Sequence, residues 1–254
     1  MPHRRLRTPS FAALALAVAL VPSAAHAAPP WAGVPVLMYH KVDANVPAGD
    51  AVGRDLTVEP AAFAAQLDYL RAHHIATLTA EELARELAAG RRPTNAVVLT
   101  FDDGYEDGAT TALPLLRKFG ARGTFYVSSG FVGTPRHLTW RQIRDMRAAG
   151  MEVACHGTNH LDLSTLDRAG QLLEAAGCMR RFARWVGGAK PVTYAYPAGK
   201  YDAVTLDIMQ RLGVRAAFTE RPGVVTDLAR PYELPRRRVR HDDDLARFAD
   251  LVRP

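Results

Sequence analysis

Two adjacent carboxylates stand at the end of a short apolar run. Residues 96–101 (AVVLTF) are enough for a buried strand, and Asp102, Asp103 and Gly104 follow directly. Buried parallel strands are often continuous Val and Leu runs, and α/β proteins carry out their chemistry where such strands end. Two carboxylates in a sheltered site repel each other, so a proton, a cation or a metal must compensate them. A solvated Asp-Asp-Gly turn is the alternative for this stretch alone.

A second cluster follows another predicted strand, residues 151–155. His156 and His160 lie four residues apart, and on one helical turn they would face the same side, where both can bind one metal ion. With Asp103 they form a His-His-Asp set, and three protein ligands with an open position are what a catalytic zinc site needs. We therefore expect Asp103 to bind a metal and Asp102 to accept a proton from the attacking water.

The segments around these motifs alternate between strand-like and helix-like patterns. About eight apolar segments are separated by segments with helical spacing, and no repeat or low-complexity tract interrupts them. This alternation predicts parallel βα units. For a single domain of about 225 residues, it favours one (β/α) barrel, distorted in places, over an open doubly wound sheet.

The first 27 residues are predicted to be a signal peptide. A basic start, an apolar segment over residues 11–21 and a small-residue cleavage site ending at Ala27 follow one another. The apolar segment is short for a membrane span. We expect the remaining residues, 28–254, to form one domain that is secreted or periplasmic. Membrane contact is expected only through an uncleaved signal segment.

The charge of the chain argues against nucleic acid as a partner. The net charge of the whole chain is +6, and without the first 27 residues 29 basic and 26 acidic residues remain, a net charge of +3. Nucleic-acid-binding domains are usually far more basic. The run Arg236-Arg237-Arg238, together with Arg240, is interpreted as a solvated or salt-bridged strand end.

The two cysteines leave two alternatives open. Cys155 lies in a predicted strand and Cys178 in a predicted helix. In an exported chain they fit one disulfide, and they fit two buried free thiols equally well.

Together these residues resemble the polysaccharide deacetylases of the NodB-homology type, carbohydrate esterase family 4. The resemblance extends over residues 35–236, and its most specific part is the stretch from Thr100 to Gly104 at this distance from the paired histidines. It implies a single distorted (β/α) barrel of the NodB type. It also implies a catalytic base and three ligands of a divalent metal, expected to be Zn²⁺: Asp102 as base, and Asp103, His156 and His160 as ligands.

Two further motifs depart from the family pattern. The stretch 194–201 resembles the third motif, in the Tyr-Pro-x-Gly form of the branch that includes exported poly-N-acetylglucosamine deacetylases. The family uses a backbone N–H of this loop to hold the oxyanion, which implies the amide of Ala198. Much of the family has an arginine in place of Ala195 that braces the catalytic base, so this role is vacant or filled by another residue. Gly157 replaces a usual Ser or Thr, which is expected to loosen the support of the ligand loop.

The resemblance assigns no residue of the last motif as the general acid. The last motif usually supplies a histidine, and the matching stretch 234–239 has none. His241 is the candidate nearest in sequence, with a structural role as the alternative. His40, which ends the first predicted strand, is another candidate for the cleft, and it is grouped with Tyr105 and Tyr196 as a predicted substrate-binding residue. Core or rim packing is the alternative for both tyrosines.

The function implied is an exported, metal-dependent hydrolase that removes N-acetyl groups from a polysaccharide containing N-acetylglucosamine. We expect a monomer. The first alternative is the same metal site acting on an O-acetyl ester or another non-peptide C–N bond. The second is a carbohydrate-binding domain without activity. The intact base and metal ligands argue against this second alternative, whereas Ala195 and the missing final histidine argue for it.

Overall fold

The computed structural model describes residue 1 and residues 32–46, 49–188 and 190–254. The predicted signal peptide therefore lies outside the described residues. The strands of the described part are Val36–Tyr39 (β1), Lys41–Val42 (β2), Thr57–Val58 (β3), Ala76–Leu78 (β4), Ala96–Phe101 (β5), Thr124–Val127 (β6), Glu152–Cys155 (β7), Thr193–Ala195 (β8), Ala216–Phe218 (β9) and Arg237–Arg238 (β10). The α-helices are Ala51–Asp55 (α1), Pro60–Ala72 (α2), Ala80–Ala88 (α3), Leu113–Lys118 (α4), Trp140–Ala148 (α5), Arg168–Trp185 (α6), Ala203–Arg211 (α7) and Leu245–Leu251 (α8).

One sheet carries eight of these strands, in the order β10-β1-β5-β6-β7-β8-β9, with β4 also paired to β5. All of its neighbouring pairs are parallel. Residues 234–238 link the two edges: Leu234 bonds through its backbone to Ala217 and Thr219 beside β9, and β10 pairs with β1. The sheet is therefore curled, and the predicted distorted (β/α) barrel is confirmed.

The two faces of the curled sheet pack against different cores. Val98 of β5 and Ala154 of β7 belong to the inner apolar cluster, whereas Cys155 belongs to the outer cluster with the helices. Side chains alternate between faces with a period of two along a strand. Continued past the strand ends, this period brings Asp102 and His156 to the inner face at the carboxyl edge of the sheet.

Helix α3 belongs to the opposite, amino-terminal end of the barrel. Its capping box, formed by Thr79 and Glu82, starts the helix. The next two N–H groups of the helix donate to side chains of the sheet. Ala80 donates to Thr124 Oγ1 at 2.9 Å, and Glu81 donates to Glu152 Oε2 at 2.8 Å. The first turn of α3 is thereby fixed to the beginnings of β6 and β7.

A disulfide joins the sheet to the helical layer. Cys155, the last residue of β7, is bonded to Cys178 in the middle of α6, with their Cα atoms 5.9 Å apart. The sequence left this pairing open, and the structure decides for the disulfide. Within the described ranges, no helix is both long and apolar enough to cross a membrane.

Candidate active site

Asp102 is buried and paired with a buried arginine. The guanidinium of Arg236 donates two hydrogen bonds to it, one to each carboxylate oxygen, at 2.8 and 2.7 Å. Arg236 is 1% exposed and Asp102 is 2% exposed. Two further bonds orient the guanidinium, from Nε to the Thr219 carbonyl at 3.0 Å and from Nη1 to Thr100 Oγ1 at 3.1 Å. Bidentate pairs of this kind fix geometry as well as charge.

Arg236 supplies the brace that Ala195 cannot. Ala195 belongs to the inner apolar cluster. Asp102 is instead held by Arg236, which lies in the segment that links the sheet edges. Burial by itself raises the pKa of Asp102, but the guanidinium and the nearby His156 outweigh it and lower that pKa below its usual value. Asp102 is therefore a carboxylate at neutral pH.

The other arginines of the run behave as predicted for a salt-bridged strand end. Arg238 contacts Asp55 at 2.6 Å, and Arg240 contacts the other oxygen of the same carboxylate at 2.8 Å. Arg237 donates to the carbonyl groups of Leu251 and Arg253. The sequence interpretation was wrong for Arg236, which is buried inside the barrel instead of lying at its surface.

Asp103 lies between the two predicted metal-binding histidines. Its Oδ1 is 3.4 Å from His156 Nε2 and 3.2 Å from His160 Nε2. The ligand atoms of the three residues all lie within 4.8 Å of one another. Burial opposes ionisation of Asp103, yet the two imidazoles beside it hold the pKa of this carboxyl well below its usual range. The side chains can thus converge on one cation.

The donor atoms of this cluster fit a metal ion. Asp103 Oδ1 is buried and has no hydrogen-bond partner in the described part of the chain. The Nδ1 atom of His156 lies 2.7 Å from the Ala195 carbonyl oxygen. Because a carbonyl only accepts, Nδ1 must carry the proton, which leaves the Nε2 lone pair directed at Asp103. A backbone carbonyl on the far nitrogen is the usual support of a metal-binding histidine.

Backbone strain concentrates at these residues. Six non-glycine residues of the described ranges have positive φ, and three of them are site candidates: Asp103 at 74°, His160 at 55° and Ala198 at 51°. Such conformations cost on the order of 1–3 kcal/mol each and occur where function needs a particular direction of a group. The same strain turns Asp103 out of the strand direction and towards the histidines.

The loop of the third motif is a single 3₁₀ turn, Pro197–Gly199, inserted after β8. Ala198 is exposed, and its N–H donates no hydrogen bond to a described residue. The neighbouring amides are occupied, because Gly199 donates to the Tyr196 carbonyl and Lys200 donates to the Pro197 carbonyl. The left-handed conformation of Ala198 leaves one free backbone donor at this edge.

The two candidate histidines for proton donation are in different surroundings. His40 is half-buried at the end of β1, and the charges of both Asp102 and Asp103 act on it. Burial lowers its pKa, and the two carboxylates partly offset this. By contrast, His241 Nδ1 lies 2.9 Å from the Thr57 carbonyl, away from the residues that surround Asp102. The structure therefore groups His40 with the carboxylates.

The two candidate tyrosines also differ. Tyr105 is half-buried, stacks on His137 with a centroid distance of 5.4 Å and has the Lys41 ammonium 4.4 Å from its ring. It lines a cleft of about 640 Å³. Tyr196 is fully buried and donates to the Tyr232 carbonyl at 2.9 Å. Its side chain faces the outer core, so the predicted substrate contact of Tyr196 is corrected to a packing role.

The protein is a parallel barrel with an Asp-His-His cluster that can hold a metal ion. The cluster lies at the carboxyl ends of the strands, where barrel enzymes have their active sites. The family model for polysaccharide deacetylases matches residues 89–217, half of the chain, which includes the carboxylates, the histidines and the third-motif loop. The chain belongs to the polysaccharide deacetylase family, carbohydrate esterase family 4, which confirms the resemblance predicted from sequence.

Individual relatives agree with the family. The protein YxkH of Bacillus subtilis strain 168, which carries the same family name, is 30% identical over 82% of this chain and 72% of its own length. The poly-beta-1,6-N-acetyl-D-glucosamine N-deacetylase of Staphylococcus epidermidis is 23% identical over 81% of this chain and 78% of its own. The deacetylase PplD of Streptococcus pyogenes, solved with acetate, superposes with a TM-score of 0.81 at 28% identity, covering 87% of this chain and 99% of PplD.

Proposed function

We propose that the protein is an exported, metal-dependent deacetylase that removes N-acetyl groups from a polysaccharide containing N-acetylglucosamine. One observation carries the proposal: the adjacent carboxylates have separate environments, because Asp102 is locked to Arg236 and Asp103 is directed at two imidazoles. One carboxylate is thereby available for a proton and the other for a cation. The similarity to a poly-N-acetylglucosamine deacetylase supports the choice of polymer.

Asp103, His156 and His160 would hold the metal, and zinc suits one carboxylate and two imidazoles with an open position. When bound, zinc supplies a Lewis acid and lowers the pKa of water at its open position. Asp102 accepts the proton of the attacking water, and Arg236 keeps this carboxylate ionised and aligned. The free N–H of Ala198 donates to the oxygen on which negative charge develops.

His40 is the better candidate for protonating the departing amine. The charges of Asp102 and Asp103 act on it, whereas His241 is engaged with a backbone carbonyl. A proton donor has to lie within reach of the reacting atoms. His40 follows Tyr39, which pairs with Phe101 directly before Asp102, so the sheet register favours His40 over the residue nearest in the motif sequence. His40→Ala should then lower kcat strongly and His241→Ala should not; the reverse result would return the role to His241.

The inactive alternative loses one of its two supports. Ala195 argued for a domain without activity as long as nothing braced the catalytic base, and Arg236 now braces it. The cleft beside Tyr105 offers an aromatic ring to a sugar, which suits a substrate that extends past the reacting unit. We further propose that residues 1–27 are removed, that residues 28–254 act as a secreted or periplasmic monomer, and that the exported protein begins at Ala28.

The test measures acetate release from N-acetylglucosamine oligomers and, in parallel, from O-acetylated xylan. Release from the oligomers that stops with a chelator and returns with zinc supports the proposal. Asp103→Ala is the matched variant, because it removes one ligand and leaves the Asp102–Arg236 pair in place. Release from xylan alone would favour the ester alternative. No release from either polymer, with zinc bound, would contradict deacetylation of both polymers and favour another C–N substrate.

A further inference from the structure

The loop that carries both histidines has an unusual backbone. Between His156 and His160 the chain passes through Gly157 at φ 78° and reaches His160 itself at φ 55°. Glycine adopts the first conformation without cost, but the second is unfavourable for a histidine, and the loop has no regular secondary structure. The two histidine side chains can keep their separation only if something outside the loop holds it.

Two neighbouring elements make such contacts. After β6, the N–H groups of Ser129 and Gly130 donate to the carbonyls of Gly157 and Thr158 at 3.1 and 2.7 Å, and the donors of the loop are bonded by Glu174 of α6. Its Oε2 accepts hydrogen bonds from the backbone N–H groups of Thr158 and Asn159 at 3.0 and 2.8 Å, and its Oε1 accepts from Asn159 Nδ2 at 2.7 Å. Thr158 Oγ1 donates to the Glu174 carbonyl at 2.9 Å. Glu174 is 4% exposed, and no cation pairs with it in the described ranges. Its buried charge is compensated by the donors of the ligand loop.

Gly157 makes this approach possible. A Cβ atom at this position would stand 3.2 Å from Glu174 Oε2, 3.4 Å from Pro197 Cγ and 3.5 Å from Tyr194 Oη. The first distance is shorter than most contacts of real Cβ atoms, so a side chain here would press on the carboxylate. From the sequence, the absence of Ser or Thr after the first histidine was expected to loosen the loop. The structure shows support of the loop from the neighbouring helix instead.

The same face of α6 bonds the loop a second time. Cys178 lies four residues after Glu174, one turn further along the helix, and its disulfide holds Cys155, the residue directly before His156. The helix thus fixes the chain covalently just before the first histidine and by hydrogen bonds between the two histidines.

We propose that Glu174 and the Cys155–Cys178 disulfide act together as a clamp that positions His156 and His160 for metal binding. The inference rests on the proposed metal-dependent function. Glu174 is a positioning residue and not a ligand, because both of its oxygens are engaged by the loop. The Cys155–Cys178 bond has the same role at the start of the loop.

The first test measures zinc affinity of the metal-free protein by calorimetry. Glu174→Gln keeps the size of the side chain but directs an NH₂ group at a donor of Asn159, so zinc should bind about 10–100-fold more weakly, as when outer partners of metal ligands are removed. Gln171→Ala is the control on the same helix, since Gln171 is buried but bonds to Thr205 and not to the loop. Unchanged affinity in Glu174→Gln, or an equal loss in Gln171→Ala, would overturn the clamp.

The disulfide is tested with Cys155→Ala/Cys178→Ala, which leaves no free thiol to compete for zinc. Zinc binding should weaken, and the combination with Glu174→Gln should lose less than the sum of the two effects, because both act on one loop. Strictly additive losses would overturn the joint action.

Amide hydrogen exchange separates this inference from the proposed function. In Glu174→Ala the N–H groups of Thr158 and Asn159 lose their acceptor and should lose protection with or without zinc, and equal protection in both proteins would overturn the clamp. Absence of zinc binding by the unmodified protein would instead count against the metal-dependent function.

Discussion

Asp102 at the carboxyl end of the barrel is buried and Glu152 at the amino end is partly buried, and the two carboxyl groups have different partners. At the carboxyl end Asp102 is paired with Arg236. At the amino end Glu152 accepts hydrogen bonds from Thr124, Thr193 and the N–H of Glu81 and has no salt bridge in the described part of the chain. Burial raises the pKa of Glu152 to about 7, whereas the guanidinium keeps the pKa of Asp102 low.

This difference shows that burial alone does not determine the charge of a carboxyl group. The hydroxyl and amide donors around Glu152 do not outweigh its desolvation, whereas the guanidinium beside Asp102 does. The amino end uses its carboxyl group to join α3 to the sheet. The carboxyl end has a group that stays ionised and can accept a proton, and only this end needs the arginine.

The largest difference between the two ends is expected in kcat when each carboxylate is neutralised in turn. Asp102→Asn cannot accept a proton, so kcat for acetate release should fall about 10²–10⁴-fold, the usual contribution of a general base. Glu152→Gln is the matched change at the amino end and should leave kcat unchanged. Equal losses in the two variants would mean that Asp102 acts through the fold and not on the substrate.

Removing Arg236 should destabilise the folded chain, because no other positive charge is bonded to Asp102 in the described part of the chain. Arg236→Met leaves the buried carboxylate without its partner, so the free energy of unfolding should fall by about 3–5 kcal/mol. Adding Asp102→Asn removes the uncompensated charge and should restore part of the loss. Urea denaturation of the three variants measures this coupling. A double variant as unstable as the sum of the single changes would contradict it.

The pH dependence of stability should have opposite signs at the two ends. The pKa of Glu152 is higher in the folded chain than in the unfolded chain. Its contribution to the free energy of unfolding is therefore complete below about pH 4.5 and is lost as the pH rises through about 7, an effect on the order of 3 kcal/mol. Glu152→Gln should flatten the decline of the free energy of unfolding between pH 5 and 8. Asp102 contributes in the other direction, with stability lost as the pH falls. An unchanged slope in Glu152→Gln would refute the shift.

The smallest effect concerns two tyrosines near the carboxyl end. Tyr196→Phe removes one buried hydrogen bond to Tyr232, so it should cost about 1 kcal/mol of stability without changing kcat/KM. Tyr105→Ala removes a ring from the cleft and should raise KM. Urea denaturation measures the stability change, and assays on oligomers of increasing length measure KM and kcat/KM for both variants. A raised KM in Tyr196→Phe would return this residue to the substrate site.

Much of the site could be predicted because its residues are close in sequence to strand ends. Asp102, Asp103, His156 and His160 belong to short motifs, and the alternation of strands and helices was sufficient to favour a barrel. The burial of Tyr196 was also within reach, since the period of two places it on the face opposite Ala195.

Arg236 and Glu174 could not be found in this way. Arg236 is 134 residues from Asp102, and a basic residue in a basic run looks like a surface residue until the sheet order is known. Glu174 lies inside a helix whose pattern says which face is buried but not which loop it meets. The cysteine pairing was open for the same reason: spacing does not give the distance between a strand and a helix.

The strand segment that contains Arg236 has a consequence for the order of folding. It is the segment that links the two edges of the sheet, so the base receives its guanidinium only when regions far apart in the chain meet. Contacts of such high sequence separation form late, because the loop they close is long. We therefore expect refolding chains to regain secondary structure before catalytic competence. Acetate release that recovers as fast as the far-ultraviolet circular dichroism signal would contradict this order.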